Sequence, residues 1–240
     1  MNNELDFFNE FVNKFDLMIP QIMMKKEHSC RVALNARLLA NFLNLSEEDS
    51  NIAYISGLFH DLGRFVQYST YKTFDDNKSI DHGDLSYEIL KSIGYNKKEV
   101  LNAVKYHNKY EIPNNLDNRN KLFCKILRDA DKFDILNDDF NLKYKNQKID
   151  TKLIKYFKEK KLIPNGLIDN DLSIELGILS YIFDINFVET LNLIRNKKII
   201  NDKISKIYEE TKDENIFIIE YFINKYIEER TGVKKYGRVR

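Results

Sequence analysis

The apolar residues of this chain recur every three to four positions along most of its length, and little interrupts them. That spacing belongs to helices with one buried face. Only 3 Pro and 8 Gly occur in 240 residues, so long helices are favoured over a succession of tight turns. From Met24 to Leu45 the positions His28, Val32, Ala36, Leu39 and Leu43 keep the helical interval. Ser46, with Asp49 three residues on, reads as the start of a second helix. That helix turns Ile52, Ile55 and Phe59 inward and is expected to end near Gly63. The stretch from Gln67 to Asp81 has no sustained period and reads as a loop. Helical patterns return over 82–93, 97–108 and 118–136, with Gly94 closing the first and Pro113 marking the loop before the last. Beyond Asp139 the composition shifts towards Lys, Asn and Ile, with helical spacing over 153–163, 172–182, 187–199 and 216–227. No run reads as a strand, and no internal repeat is visible. The fold class expected is all-α: a core over 1–139 and a helical extension over 140–240, packed on that core or forming a homodimer contact.

Composition narrows the function classes. A hydrophobic share of 43% supports a sizeable core and excludes wholesale disorder. Thirty-eight basic against 37 acidic residues leave a net charge of +1, which argues against a chain devoted to nucleic acid or an anionic membrane. The basic residues Arg230, Lys234, Lys235, Arg238 and Arg240 read as a solvated, frayed end rather than a nucleic-acid site. Cys30 and Cys124 are too few for a disulfide framework and read as small core fillers in a reducing compartment. No apolar run approaches the roughly 18 residues of a membrane span, and the first residues do not resemble a signal peptide. A cytoplasmic protein is the expectation.

The chain has 4 His, and each falls on the apolar stripe of a different expected helix or at its end. His28 is in line with Val32 and Ala36, and His60 follows Ile52, Ile55 and Phe59. His82 leads Leu85, Ile89 and Ile93, and His107 completes Val100, Ala103 and Val104. On a fifth helix Asp131 lines up with Phe123 and Leu127, where a carboxylate is costly unless its charge is compensated. Arg128 and Lys132 fall on other faces of that helix. One such histidine is ordinarily a hydrogen-bonded core residue; four, each turned inward from its own helix, point to convergence on a metal. Imidazole with carboxylate suits Mn, Fe, Co, Ni or Zn better than Ca or Mg. With Asp61, which follows His60 at once, these make six ligands, too many for one tetrahedral site and a match for two ions sharing a carboxylate.

These residues resemble the HD-domain metal-dependent phosphohydrolase superfamily. The resemblance is carried by His28, by His60-Asp61 within Gly57-Leu58-Phe59-His60-Asp61-Leu62-Gly63-Arg64, and by Asp131 within Arg128-Asp129-Ala130-Asp131. His82-Gly83 and His107 resemble the additional ligands of its dinuclear subset, and the likeness covers roughly residues 24–138. It implies a helical bundle in which His28, His60, Asp61 and Asp131 hold one ion and Asp61 bridges to a second completed by His82 and His107. Asn108 stands where some members have a second histidine, and Met24 where trinuclear cyclic-dinucleotide phosphodiesterases have a glutamate. The Gly-Tyr-Pro signature of those enzymes is absent as well. Neither a third metal nor that substrate is therefore expected.

The reaction this implies is hydrolysis of a phosphate ester of a small metabolite, such as a nucleotide, by metal-activated water. Arg64, one turn after the His60-Asp61 pair, is the first candidate to meet a phosphate oxygen, set against a surface arginine at a helix end. Lys109 and Lys132 are secondary candidates whose default reading is a solvated side chain. Asp129 and Asp134 are placed to orient ligands, and Asp81 to cap its helix. The loop carrying Tyr68, Tyr71 and Phe74 is a candidate cover that stacks on a base. Two rivals remain at this point: a diiron oxygenase on the same scaffold, and a non-catalytic sensor of a nucleotide or metal.

Overall fold

The computed structural model describes residues 2–233; Lys234, Lys235, Arg238 and Arg240 of the basic end lie outside them. Twelve α-helices and no strand occur among the described residues, as an all-α chain requires. In order they are α1 Asn2–Val12, α2 Pro20–Phe42, α3 Glu47–Phe59, α4 Leu62–Tyr71, α5 His82–Ser92, α6 Lys98–Tyr106, α7 Asn118–Asn137, α8 Thr151–Lys158, α9 Asp171–Ser180, α10 Val188–Asn196, α11 Ile199–Thr211 and α12 Asn215–Thr231. The chain divides into two compact units after Asp134, inside α7.

Local chemistry sets most boundaries in the first unit. Pro20 opens α2 where its missing N–H costs nothing. Ser46 caps α3 by accepting from the Asp49 N–H at 3.1 Å. Gly94, at φ 77°, ends the α5 segment. The α2–α3 crossing is unusually close because one side of it has no side chain. A Cβ on Gly57 would lie 2.6 Å from Ala33 Cα and 2.8 Å from the Val32 carbonyl oxygen. Those are backbone atoms, so no rotamer change relieves the clash. We expect Gly57→Ala to cost about 1–3 kcal/mol, read as a lower denaturant midpoint at unchanged m-value.

Three sequence expectations are corrected here. The α3 segment stops at Phe59 rather than near Gly63, and a new helix, α4, begins at Leu62. Gly63 is not a stop: a Cβ there would lie 2.4 Å from the His82 carbonyl oxygen, so the glycine lets α4 meet α5. Gln67, Tyr68 and Tyr71 are therefore helical, and the loop runs only from Lys72 to Asp81, with one 3₁₀ turn at Asp76–Lys78. The inward face of α5 is His82, Gly83, Ser86 and Leu90, whereas Ile93 is exposed. Ser86 serves the junction, accepting from the Gly63 N–H at 2.8 Å and lying 2.8 Å from the His60 and His82 carbonyl oxygens. Helix α1, not anticipated from the sequence, seats Phe7 edge-on against Phe59 and Phe8 against Phe65, covering α3 and α4.

In the second unit α8 ends at Lys158, earlier than its apolar spacing suggests, and Lys160 takes a left-handed φ of 56°. The 187–199 pattern is α10, which ends at Asn196, and beyond Lys198 at φ 58° a further helix that the sequence reading did not single out, α11, begins at Ile199. Phe183 packs edge-on against both Phe157 and Tyr226. Arg230 is not frayed: it donates to Asn186 O at 2.8 Å and to the Tyr226 hydroxyl at 2.6 Å. Cys124 is buried, and burial pushes its thiol up to about 12. Cys30 is not a core filler; it is half-buried beside Lys26, Glu27 and Arg31. No described helix is long and apolar enough to cross a membrane.

Candidate metal centre

Five helices of the first unit deliver six side chains to one place, mostly from helix ends. His28 comes from the middle of α2 and Asp131 from α7; His60 closes α3, His82 opens α5, and His107 closes α6. Adjacent residues on a continuous helix point about 100° apart. The break between α3 and α4 removes that constraint. Asp61, at φ −106° and ψ 17°, makes no capping hydrogen bond and turns its carboxylate towards the histidines.

Every imidazole is fixed from behind through Nδ1 at 2.7 Å. His60 donates to the Gly57 carbonyl and His107 to the Val104 carbonyl, each taking up an orphan carbonyl of its own helix end. His28 donates to Asp134 and His82 to Asp76. With hydrogen at Nδ1, each neutral ring presents a lone pair at Nε2, and all four Nε2 atoms face one interior. His28 and His60 bring theirs to 3.3 Å, and His82 and His107 to 3.1 Å. Two acceptors at that distance repel unless a proton or a metal ion joins them.

The carboxylates complete two groups. Asp131 Oδ1 lies 3.1 Å from His28 Nε2 and 3.8 Å from His60 Nε2. Asp61 Oδ2 lies 3.4 Å from His60 Nε2 and 3.8 Å from His28 Nε2. Its other oxygen, Oδ1, lies 3.6 Å from His82 Nε2 and 3.9 Å from His107 Nε2. Asp61 thus turns one oxygen to each group. Donors about 2.0–2.2 Å from a shared ion stand about 3–3.5 Å apart, so this spacing fits divalent metal. His28, His60 and Asp131 form one set that could hold an ion, and His60, Asp61 and His107 another, with His82 beside the latter.

The titration behaviour follows from burial and neighbours. Burial opposes charge on His28, but hydrogen bonds to Asp131 and Asp134 outweigh it and raise the ring to about 9. Burial lowers His60 despite Asp61 and Asp131. It lowers His107 much further, with His82 and His60 adding to the effect. Asp61 sits well below the usual carboxylate range because His60, Lys25, His82 and Arg64 outweigh its desolvation. Asp131 is lowered against its desolvation by the His28 hydrogen bond and by the charges of His60 and His28. Both acids are ready-made anionic ligands.

The structure thus brings together all six residues singled out as ligands, with Asp134 behind His28. Asp129, the other acid expected to orient ligands, is fully buried. Asp81 caps α5, accepting from the Asp84 N–H at 2.9 Å. The three residues expected to meet phosphate are differently engaged. Arg64 is in the first turn of α4 and only 15% exposed, which corrects the surface, helix-end alternative. Its Nη1 donates to Gln67, to the Phe74 carbonyl and to Asp76, while Nε is buried without a partner, 3.7 Å from Asp61 Oδ1. Lys109 pairs with Asp81 at 2.6 Å and Asp84 at 2.8 Å, and Lys132 is buried, so neither is a free solvated lysine.

Sequence reasoning missed Lys25, Gln67 and Asp76. Buried Gln67 donates to Asp76, Ser79 and Ile80 O, each at 2.8 Å, and ties the loop down. Asp76 passes that restraint to His82, and Asn108 donates to it at 3.3 Å. The position of Lys25 three residues before His28 was the available signal for that residue. Nothing in the sequence marks a loop aspartate.

Residues 26–136 match the family model of the HD domain. No curated protein and no solved structure matches the chain.

Proposed function

We propose, from the HD domain that residues 26–136 form and the donor set inside it, that this chain is a phosphohydrolase acting on a phosphate ester of a small metabolite, with nucleotides as the substrate class. The superfamily is one of metal-dependent hydrolases. The observation that carries the reading is the facing of imidazole lone pairs, His28 on His60 and His82 on His107, across the Asp61 carboxylate. His28, His60, Asp61 and Asp131 would hold one divalent ion, and Asp61, His82 and His107 a second. Nitrogen and carboxylate donors suit Fe, Mn, Zn, Co or Ni.

Bound there, such ions supply Lewis-acid polarisation of a phosphoryl oxygen and a lowered pKa for the attacking water. The protein's own groups do the positioning. Asp134 and Asp76 hold the His28 and His82 rings with Nε2 inward. Arg64 straps the loop at Phe74 and Asp76 beside the site. The Tyr68 and Phe74 rings, 4.9 Å apart, form the aromatic pair against which a nucleobase would stack.

The test is elemental analysis of the purified protein beside His82→Ala and His107→Ala, with phosphate release measured under anaerobic conditions. About two transition-metal ions per chain, falling towards one in the variants, is the expected result, with turnover supported by redox-inert Zn. Turnover that requires iron and oxygen would replace hydrolysis with oxygenase chemistry. Tight nucleotide binding by a metal-free chain without turnover would make it a sensor.

A further inference from the structure

The carboxylate shared by the two groups has a cationic neighbour outside the ligand set. Lys25 lies on α2, three residues before His28, so the two side chains leave the same face of the helix. Its Nζ donates to Asp61 Oδ2 at 2.8 Å and sits 5.4 Å from the centroid of the Phe74 ring. An ammonium has three donors. One is used on Asp61, the charge rests on a ring face, and the side chain is 16% exposed, so donor capacity remains towards solvent. Two other cations near the cluster spend donors on the loop and on α5, although Arg64 Nε also lies 3.7 Å from Asp61 Oδ1. Arg64 Nη1 serves Gln67, the Phe74 carbonyl and Asp76, and Lys109 serves Asp81 and Asp84.

We propose that Lys25 binds the phosphoryl group of the substrate, its ammonium bridging Asp61 Oδ2 and a phosphoryl oxygen. This rests on the phosphohydrolase reading above. Asp61 Oδ2 is the oxygen that faces His28 and His60, so an anion drawn to that side of the cluster comes within reach of the ammonium already bonded there. A compact point charge with rotatable donors suits a phosphate oxygen that must shift as the ester bond breaks. Phe74 sets the spacing: its ring carries Lys25 on one contact and Arg64, at 5.7 Å, on another. The loop restrained by Gln67 thereby holds two cations beside Asp61.

The experiment titrates inorganic phosphate into the metal-loaded protein by calorimetry, for the wild type, Lys25→Met and Lys25→Arg, with metal content and thermal midpoint measured on the same samples. Lys25→Met should keep its metal and bind phosphate about 10- to 100-fold more weakly, the scale of one charge-assisted hydrogen bond. Lys25→Arg should recover part of that loss. With a phosphate ester, the defect should appear in KM more than in kcat, the signature of binding made in the ground state. Unchanged phosphate affinity in metal-replete Lys25→Met would overturn the proposal. So would loss of metal in both variants, which would make Lys25 a structural partner of Asp61. If the loaded wild type itself neither binds phosphate nor releases it from esters, the failure belongs to the phosphohydrolase reading, and the role of Lys25 falls with it.

Discussion

Asp61→Ala should strip metal from both positions and abolish turnover, the largest effect of any single substitution in this chain. His60 belongs to both donor sets, but Asp61 alone turns a separate oxygen to each pair of histidines, Oδ2 to His28 and His60 and Oδ1 to His82 and His107. Its removal also takes the Asp61 acceptor away from the Lys25 ammonium and leaves the four Nε2 lone pairs with a single carboxylate, Asp131, to balance a divalent charge. Elemental analysis should find less than about one ion per chain, and phosphate release should fall by at least about 10³-fold, the upper scale for losing a main electrostatic stabiliser. Asp61→Asn separates charge from shape: it keeps a hydrogen-bonding side chain of the same size and should still fail to load metal. Full activity in Asp61→Ala would remove the residue from the site.

The histidines and Asp131 were legible in the sequence because they obey two simple regularities, and Asp61 because it directly follows His60 in a pair that resembles the HD motif. Each histidine continues an apolar stripe, and Asp131 is an acid on a greasy face; period and desolvation cost suffice to find them. The same logic hid what does not follow a period. Helix α4 begins after only two intervening residues, His60 and Asp61, and Gly63 looks like a stop because glycine usually ends helices by adopting positive φ. Here it serves close approach, which only the neighbouring His82 carbonyl reveals. Gln67 is fully buried, an unusual place for an amide, and its burial makes sense only once the loop it holds is known. Lys25 escaped notice because a lysine in a lysine-rich chain is ordinarily solvated, and its partner lies 36 residues away. Arg64 was found for its position, but the loop contacts that occupy its Nη1 have no trace in the sequence.

Removing the metal should destabilise the protein, and by an amount that grows with pH. An ion bound at about 1,000 times its dissociation constant adds about 4 kcal/mol to the folded state. For a chain of this size that is about 8–16 °C in the thermal midpoint. The metal-free fold has one compensation, protonated His28 held between Asp131 and Asp134. Its pKa is raised from 6.5 to about 9, so the stability it contributes is fully present below 6.5 and is lost as pH rises through 9. In the loaded protein the ion takes the place of that proton, and rising pH favours loading because the competing proton leaves. The two trends diverge. The gap between loaded and chelator-treated midpoints should therefore widen steadily from pH 6.5 to 9, measured by calorimetry at fixed ionic strength. A gap that narrows over this window would mean that His28 does not carry the ion. Asp134→Asn supplies the control: it weakens the clamp on the His28 proton, so its metal-free form should start less stable at pH 6.5 and change less on the way to 9.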